Sequence, residues 1–214
     1  MTLRSTRHER PLPRPADIER GDREERLGRE EGRRDHRIRG TVPGGVALDS
    51  QSYSYIVDAM EGYETAPAGV LAPQQLALVR LYLYTPGTLW LTPTVEREYE
   101  RISDPVRRQK HKSWTILFGV LHPEDEEAVP RRAEELESFH DGKDDCRVLA
   151  EAEAIEFRAL LSYDRDFLKH LAHHAPLRLT TPAEYWDKLG IRRGAPPLKV
   201  PRSANPLSKQ DWWR

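Results

Sequence analysis

Short apolar runs that end near an acidic residue occur twice in the middle of the chain. The run V-A-L at 46–48 leads into Asp49, and A-L-L at 159–161 is followed within three residues by Asp164. These runs are too short for helices, and consecutive apolar residues are typical of strands buried on both faces. The sequence therefore predicts strands over 42–49 and 159–162, each with an acid at its carboxyl end.

The segments between these runs carry apolar residues at helical spacing. We expect further strands over 88–92 and 177–180, and helices over 51–60, 73–84, from Pro93 past Glu98, 105–120, 124–139, 144–154, 165–174 and 182–189. Parallel neighbouring strands need crossover connections, which are usually helices. The order of elements therefore predicts an α/β fold with a mainly parallel sheet covered by helices on both faces.

Composition divides the chain into three parts. Residues 1–40 contain 12 Arg and 9 acids but no aromatic residue, and residues 191–214 contain 6 basic residues and 1 acid. Segments with so few apolar residues cannot offset the entropy lost on ordering. We therefore expect a disordered extension over 1–40, a folded domain over 41–190 and a basic tail over 191–214.

Subtracting the two ends leaves an acidic domain. Residues 41–190 contain 16 basic residues and 25 acids, although the whole chain has a net charge of only −1. This excess suits a site that collects cations, and it equally suits acids that keep helix surfaces in solution. The single cysteine, Cys146, excludes an internal disulfide, and no apolar run approaches a membrane span, so we expect a cytoplasmic protein.

Four acids are expected near one edge of the sheet. Asp49 and Asp164 follow strands, while Glu98 and Asp145 lie in the first turns of helices, and sites in parallel sheets lie beyond the carboxyl ends of strands. Carboxylates that approach each other repel unless they share a proton or a cation. Oxygen ligands without His or Cys favour Mg²⁺ or Mn²⁺, and such ions support phosphodiester hydrolysis. Taken singly, each acid also has an ordinary explanation: Asp49 and Asp164 as turn formers, Asp145 as a helix cap, and Glu98 as a side chain that faces water.

The acidic segments resemble those of one family. The segment D-D-C-R-V-L-A-E-A-E-A-I-E-F-R-A-L-L-S-Y-D-R-D-F at 144–167 closely resembles the C-terminal half of PIN domains. V-A-L-D-S at 46–50 resembles the first strand and acid of that family. L-T-P-T-V-E-R-E-Y at 91–99 is similar to its second acidic segment and favours Glu98 over Glu96.

This resemblance implies a three-layer α/β/α sandwich and a metal site formed by Asp49, Glu98, Asp145 and Asp164, with Ser162 in the family's Thr/Ser position. It also implies Mg²⁺ or Mn²⁺ as cofactor and single-stranded RNA as substrate. Many PIN proteins are VapC-like toxins that pair with an antitoxin and are often dimeric. The expected function is therefore that of a metal-dependent endoribonuclease, and the alternative is a catalytically silent PIN-like module that binds RNA or protein.

Several other residues have more than one interpretation. Asp144 and Asp166 flank the four acids, as supporting residues or as alternative ligands. His170 and His174 have a helical spacing that suits zinc or, equally, a helix C-terminus. Trp212 and Trp213, in the basic tail, suit stacking on unpaired bases, docking onto the protein itself or plain disorder.

Overall fold

The computed structural model of the chain describes residues 38–41 and 44–214. In this part the strands are β1 (Ile38–Arg39), β2 (Val46–Leu48), β3 (Leu89–Trp90), β4 (Leu121–His122), β5 (Ala159–Leu161) and β6 (Arg178–Thr180). The helices are α1 (Ser50–Glu61), α2 (Ala72–Tyr84), α3 (Pro93–Glu100), α4 (Pro105–Phe118), α5 (Ala128–Glu137), α6 (Lys143–Ala154), α7 (Arg165–Leu171) and α8 (Pro182–Lys188), with a 3₁₀ helix at Pro206–Lys209. The expected disorder of 1–37 concerns residues outside this range.

The central feature is a four-stranded parallel sheet of order β3-β2-β5-β6. Val46 of β2 pairs with Leu89 on one side and with Ala159 on the other. Every residue of β2 and β5 is buried, as expected for consecutive apolar residues in a sheet covered on both faces. Because the strands run in one direction, their carboxyl ends lie along a single edge, which we call the carboxyl edge.

The helices pack in two groups around this sheet. One group contains α1, α2 and α8, with α2 packed against both of the others, and the second contains α3, α5 and α6, with α6 packed against both of the others. The described part of the chain is therefore an α/β fold with eight α-helices, consistent with a three-layer sandwich. None of these helices has the length and apolar character needed to cross a membrane.

The sequence analysis did not anticipate a small second sheet. β1 and β4 pair in parallel, with Ile38 opposite Leu121, so residues 38–39 belong to the folded part and not to the extension expected over 1–40. α4 ends before β4 at Gly119, whose φ is 71°. A Cβ there would lie 2.9 Å from the Trp90 ring, so both the backbone conformation and the close approach favour glycine.

The basic segment 191–214 packs against the domain instead of forming a free tail. Its anchor is Trp213, which is 1% exposed, and Arg80 of α2 donates through Nε to the Trp213 carbonyl at 3.2 Å. Trp212 donates through Nε1 to the Tyr63 carbonyl at 2.9 Å. Of the three interpretations of these tryptophans, the structure supports docking, because the buried ring of Trp213 is not available to a base.

Candidate functional site

Two of the four expected acids follow neighbouring strands at the carboxyl edge. Asp49 comes directly after β2 and caps α1, accepting a hydrogen bond at Oδ1 from the Ser52 N–H at 2.6 Å. Asp164 follows β5 and caps α7, accepting at Oδ1 from the backbone N–H of Asp166 at 2.9 Å. Capping satisfies helix N–H groups that have no partner within the helix. It also fixes both carboxylates at the same edge of the sheet.

Ser162 joins these two acids. Its side chain is fully buried, and its hydroxyl hydrogen-bonds to the Asp49 carboxylate, while its Oγ accepts from the Asp164 N–H at 3.0 Å. The residue in the expected Thr/Ser position therefore supports the two acids through hydrogen bonds.

Glu98 reaches the same region from α3. Its carboxylate accepts a hydrogen bond from Ser50 Oγ, on the residue next to Asp49. Glu96 instead lies beside Tyr99, whose hydroxyl is 3.3 Å from Glu96 Oε1. Of these two glutamates, Glu98 is the one that lies near Asp49.

Burial and mutual repulsion raise the pKa values of Asp49 and Glu98. Asp49 is only 5% exposed, and loss of solvent is the main cause that raises its pKa to about 6, with repulsion from Asp145 adding to the rise and hydrogen bonds from Ser162 and Ser52 opposing it. Burial likewise raises the pKa of Glu98 to about 7, with repulsion from Asp144, Asp145 and Asp49 adding to the effect. The carboxylates are therefore close enough to destabilise one another's charged forms.

Asp145 occupies the first turn of α6 and completes the group. Burial raises the pKa of its carboxyl, a hydrogen bond from His140 lowers it, and repulsion from Asp164 and Asp144 raises it. Asp49, Glu98, Asp145 and Asp164 are thus linked by repulsion, and we call them the acidic site.

The two flanking acids have different surroundings. Asp144 is 48% exposed and forms an ion pair with Arg101, with 3.2 Å between Oδ2 and Nη1. Asp166 is exposed in the first turn of α7 and contributes its backbone N–H to Asp164. Asp144 therefore lies at the rim of the acidic site, whereas Asp166 supports it only through the backbone.

Sequence reasoning missed His140. This residue follows α5, and its Nε2 lies 3.0 Å from Asp145 Oδ2. Its Nδ1 lies 3.3 Å from Nδ1 of His170, whereas His174 stacks on Phe139 with 3.7 Å between ring centroids. His170 and His174 therefore contact different partners. In the sequence, His140 can be recognised only as a histidine in the polar turn before α6. Histidines are common in such turns without having a function.

The residues at the carboxyl edge suit a hard cation. Within residues 38–41 and 44–214, no three His, Cys, Asp or Glu side chains are already arranged as a metal-binding group. The acidic site nevertheless offers only oxygen donors, which Mg²⁺ and Mn²⁺ prefer, and its acids raise one another's pKa.

Comparison of the chain with protein-family models finds no match, and comparison with curated proteins finds none either.

Proposed function

We propose that this protein is a metal-dependent endoribonuclease that uses Mg²⁺ or Mn²⁺ at the acidic site to hydrolyse RNA phosphodiester bonds. The observation that carries the proposal is that Asp49 and Asp164 follow neighbouring parallel strands at the carboxyl edge, where Ser50 also donates to Glu98. Burial at this edge raises the pKa of Asp49 to about 6 and that of Glu98 to about 7. Strongly raised pKa values at such an edge are typical of functional sites.

The electrostatics favour a cation over a purely structural role for these acids. Structural carboxylates are usually paired with a base or accept several hydrogen bonds, which lowers their pKa. The hydrogen bonds to Asp49 do not outweigh its burial, and the Arg101 guanidinium, which lowers the pKa of Glu98, does not outweigh burial and three neighbouring acids. A divalent cation would remove this destabilisation.

Each residue of the acidic site has a proposed role. Asp49 and Asp145 bind the cation directly, and Glu98 and Asp164 complete the site. A bound Mg²⁺ or Mn²⁺ supplies Lewis-acid chemistry, in which water is made more acidic and charge on a phosphate is offset. Ser162 and the Ser52 N–H orient Asp49, and the first turn of α7 orients Asp164.

The choice of RNA as substrate derives from the resemblance of the acidic segments to PIN domains. The same resemblance supports a homodimer and an antitoxin partner as further proposals. Arg101, an exposed cation paired with Asp144 at the rim of the site, is suited to a phosphate when it leaves Asp144.

The test is cleavage of a fluorescent single-stranded RNA by the full chain with Mn²⁺, with single-stranded DNA as a parallel substrate. We expect cleavage of RNA that EDTA abolishes. Asp49→Asn and Asp145→Asn should remove cleavage with little loss of folded protein. Asp187→Asn, at an exposed position of α8, is the matched control and should retain full activity.

Two results would contradict the proposal. Full Mn²⁺-dependent activity in Asp49→Asn or Asp145→Asn would remove these residues from the site. RNA binding that is equal in Mn²⁺ and EDTA, with no cleavage in either, would instead indicate the silent binding module.

A further inference from the structure

His140 and Gly142 both lie next to Asp145, and the proposed function assigns no role to either of them. His140 Nε2 lies 3.0 Å from Asp145 Oδ2, and the histidine side chain is only 9% exposed. A carboxylate can only accept hydrogen bonds, so Nε2 must carry the proton. The second oxygen of Asp145 is left for another partner.

The position of the His140 ring is well determined by its surroundings. Its backbone N–H donates to the Leu136 carbonyl at 3.2 Å, and its carbonyl accepts from Cys146 Sγ at 3.4 Å. The ring lies against Phe167, with 5.9 Å between centroids. Its Nδ1 lies 3.3 Å from Nδ1 of His170. Both ring nitrogens therefore have partners.

Gly142 permits the close approach of these two side chains. A Cβ at this position would lie 2.6 Å from His140 Nε2 and would also overlap Asp145 Oδ2. The backbone of Gly142 has φ −75° and ψ 94°, which other residues adopt readily. The requirement for glycine here is therefore space for the hydrogen bond between His140 and Asp145, and not backbone conformation.

We propose that His140 is a positioning residue for the acidic site, which holds one oxygen of Asp145 so that the other is directed to the divalent cation, and that Gly142 provides the space for this contact. This inference depends on the proposed function, because it assigns a hydrogen-bond partner to Asp145, one of the proposed metal ligands. Hydrogen-bonded partners of metal ligands commonly change metal affinity or activity by about 10-fold to 100-fold when they are removed.

The test measures Mn²⁺ affinity of the full chain by electron paramagnetic resonance of free Mn²⁺, without RNA. His140→Ala should weaken binding by about 10-fold to 100-fold. His140→Gln should retain most of the affinity, because its amide nitrogen lies close to the position of Nε2. His140→Asn, whose amide nitrogen lies close to the position of Nδ1, should not. His173→Ala, at an exposed histidine after α7, is the matched control and should bind as the parent does.

Gly142→Ser is a second test variant, which leaves both the His140 imidazole and the Asp145 carboxylate in place. The new Cβ should separate His140 from Asp145, and both contacting atoms are ends of side chains that can turn away. Serine is a favourable N-cap, so the melting temperature should be unchanged. We expect this variant to lose Mn²⁺ affinity as His140→Ala does, and saturating Mn²⁺ should restore RNA cleavage to both.

The possible failures are distinguishable. If the parent chain itself binds no Mn²⁺, the proposed function is wrong and this inference is wrong with it. If the parent binds Mn²⁺ and both His140→Ala and Gly142→Ser bind it equally well, only the positioning role is overturned. A loss in all His140 variants, with His140→Gln as weak as His140→Ala, would also overturn it, because the hydrogen bond would not be the cause.

Discussion

Replacing Asp49 by Asn should stabilise the metal-free protein at high pH. The Asp49 carboxyl is 5% exposed, and burial is the main cause that raises its pKa from 3.8 to about 6. Asparagine has nearly the same shape, retains an oxygen for the Ser52 N–H and carries no charge. The substitution therefore removes the cost of burying a charge while it retains the cap of α1.

The magnitude follows from the pKa difference between the folded and unfolded protein. The rise is about two pKa units, and each unit corresponds to about 1.4 kcal/mol, so ionised Asp49 costs the folded state about 3 kcal/mol. Stability from protonated Asp49 is fully present below about pH 4 and is lost as the pH rises through about 6. The two proteins should therefore be equally stable at pH 4 and differ most at pH 8.

The assay is thermal unfolding of the full chain in EDTA between pH 4 and pH 8. A difference of about 3 kcal/mol corresponds to a rise of roughly 6 to 12 °C in melting temperature at pH 8 for a domain of this size. Asp187→Asn, which removes an exposed acid of α8, serves as control and should change the melting temperature little. If Asp49→Asn is no more stable than the parent at pH 8 in EDTA, the acids do not destabilise the folded state as argued.

Three further outcomes are expected. Mn²⁺ at about 100 times its Kd should stabilise the parent by about 2.7 kcal/mol and Asp49→Asn by much less in thermal unfolding, and equal stabilisation of both would place the ion elsewhere. Trp213→Ala should cost about 3 to 5 kcal/mol in urea unfolding, since Trp213 is 1% exposed, whereas a cost below about 1 kcal/mol would mean that the C-terminal segment is loosely packed. Glu151→Ala should lower the free energy of unfolding by about 3 kcal/mol or more, because Glu151 is 2% exposed and accepts from the Thr94 N–H and hydroxyl at 2.9 and 2.7 Å. Glu151→Gln should lower it by less, and an equal loss in both variants would mean that these hydrogen bonds are not the cause.

Most elements of the fold follow from local patterns. The consecutive apolar residues of β2 and β5 require burial on both faces, and the helices between strands require parallel crossovers, so the sheet and most helix bounds agree with the sequence prediction. The same logic places Asp49 and Asp164 at one edge, because acids that follow parallel strands cannot lie at opposite ends of the sheet. Glu98 could be preferred to Glu96 only through the resemblance to PIN domains.

Features that depend on contacts between distant segments cannot be recognised from local patterns of apolar residues. β1 and β4 are two residues long, too short for any periodicity, and they form only because they pair with each other. The segment 191–214 has isolated apolar residues without a period, yet Trp213 is buried because α2 offers a surface that covers it.

The sequence by itself determined the order of strands and helices and the positions of the acids along it, because backbone geometry gives strands and helices characteristic periods. Only the tertiary structure decided which groups surround each acid. Asp49 is buried at the end of β2, and Ser50 beside it meets Glu98, which lies 48 residues further along the chain. The turn before α6 brings His140 onto Asp145, with glycine at 142 leaving the space. These contacts depend on how the backbone folds and packs in three dimensions, and the periods of apolar residues do not encode them.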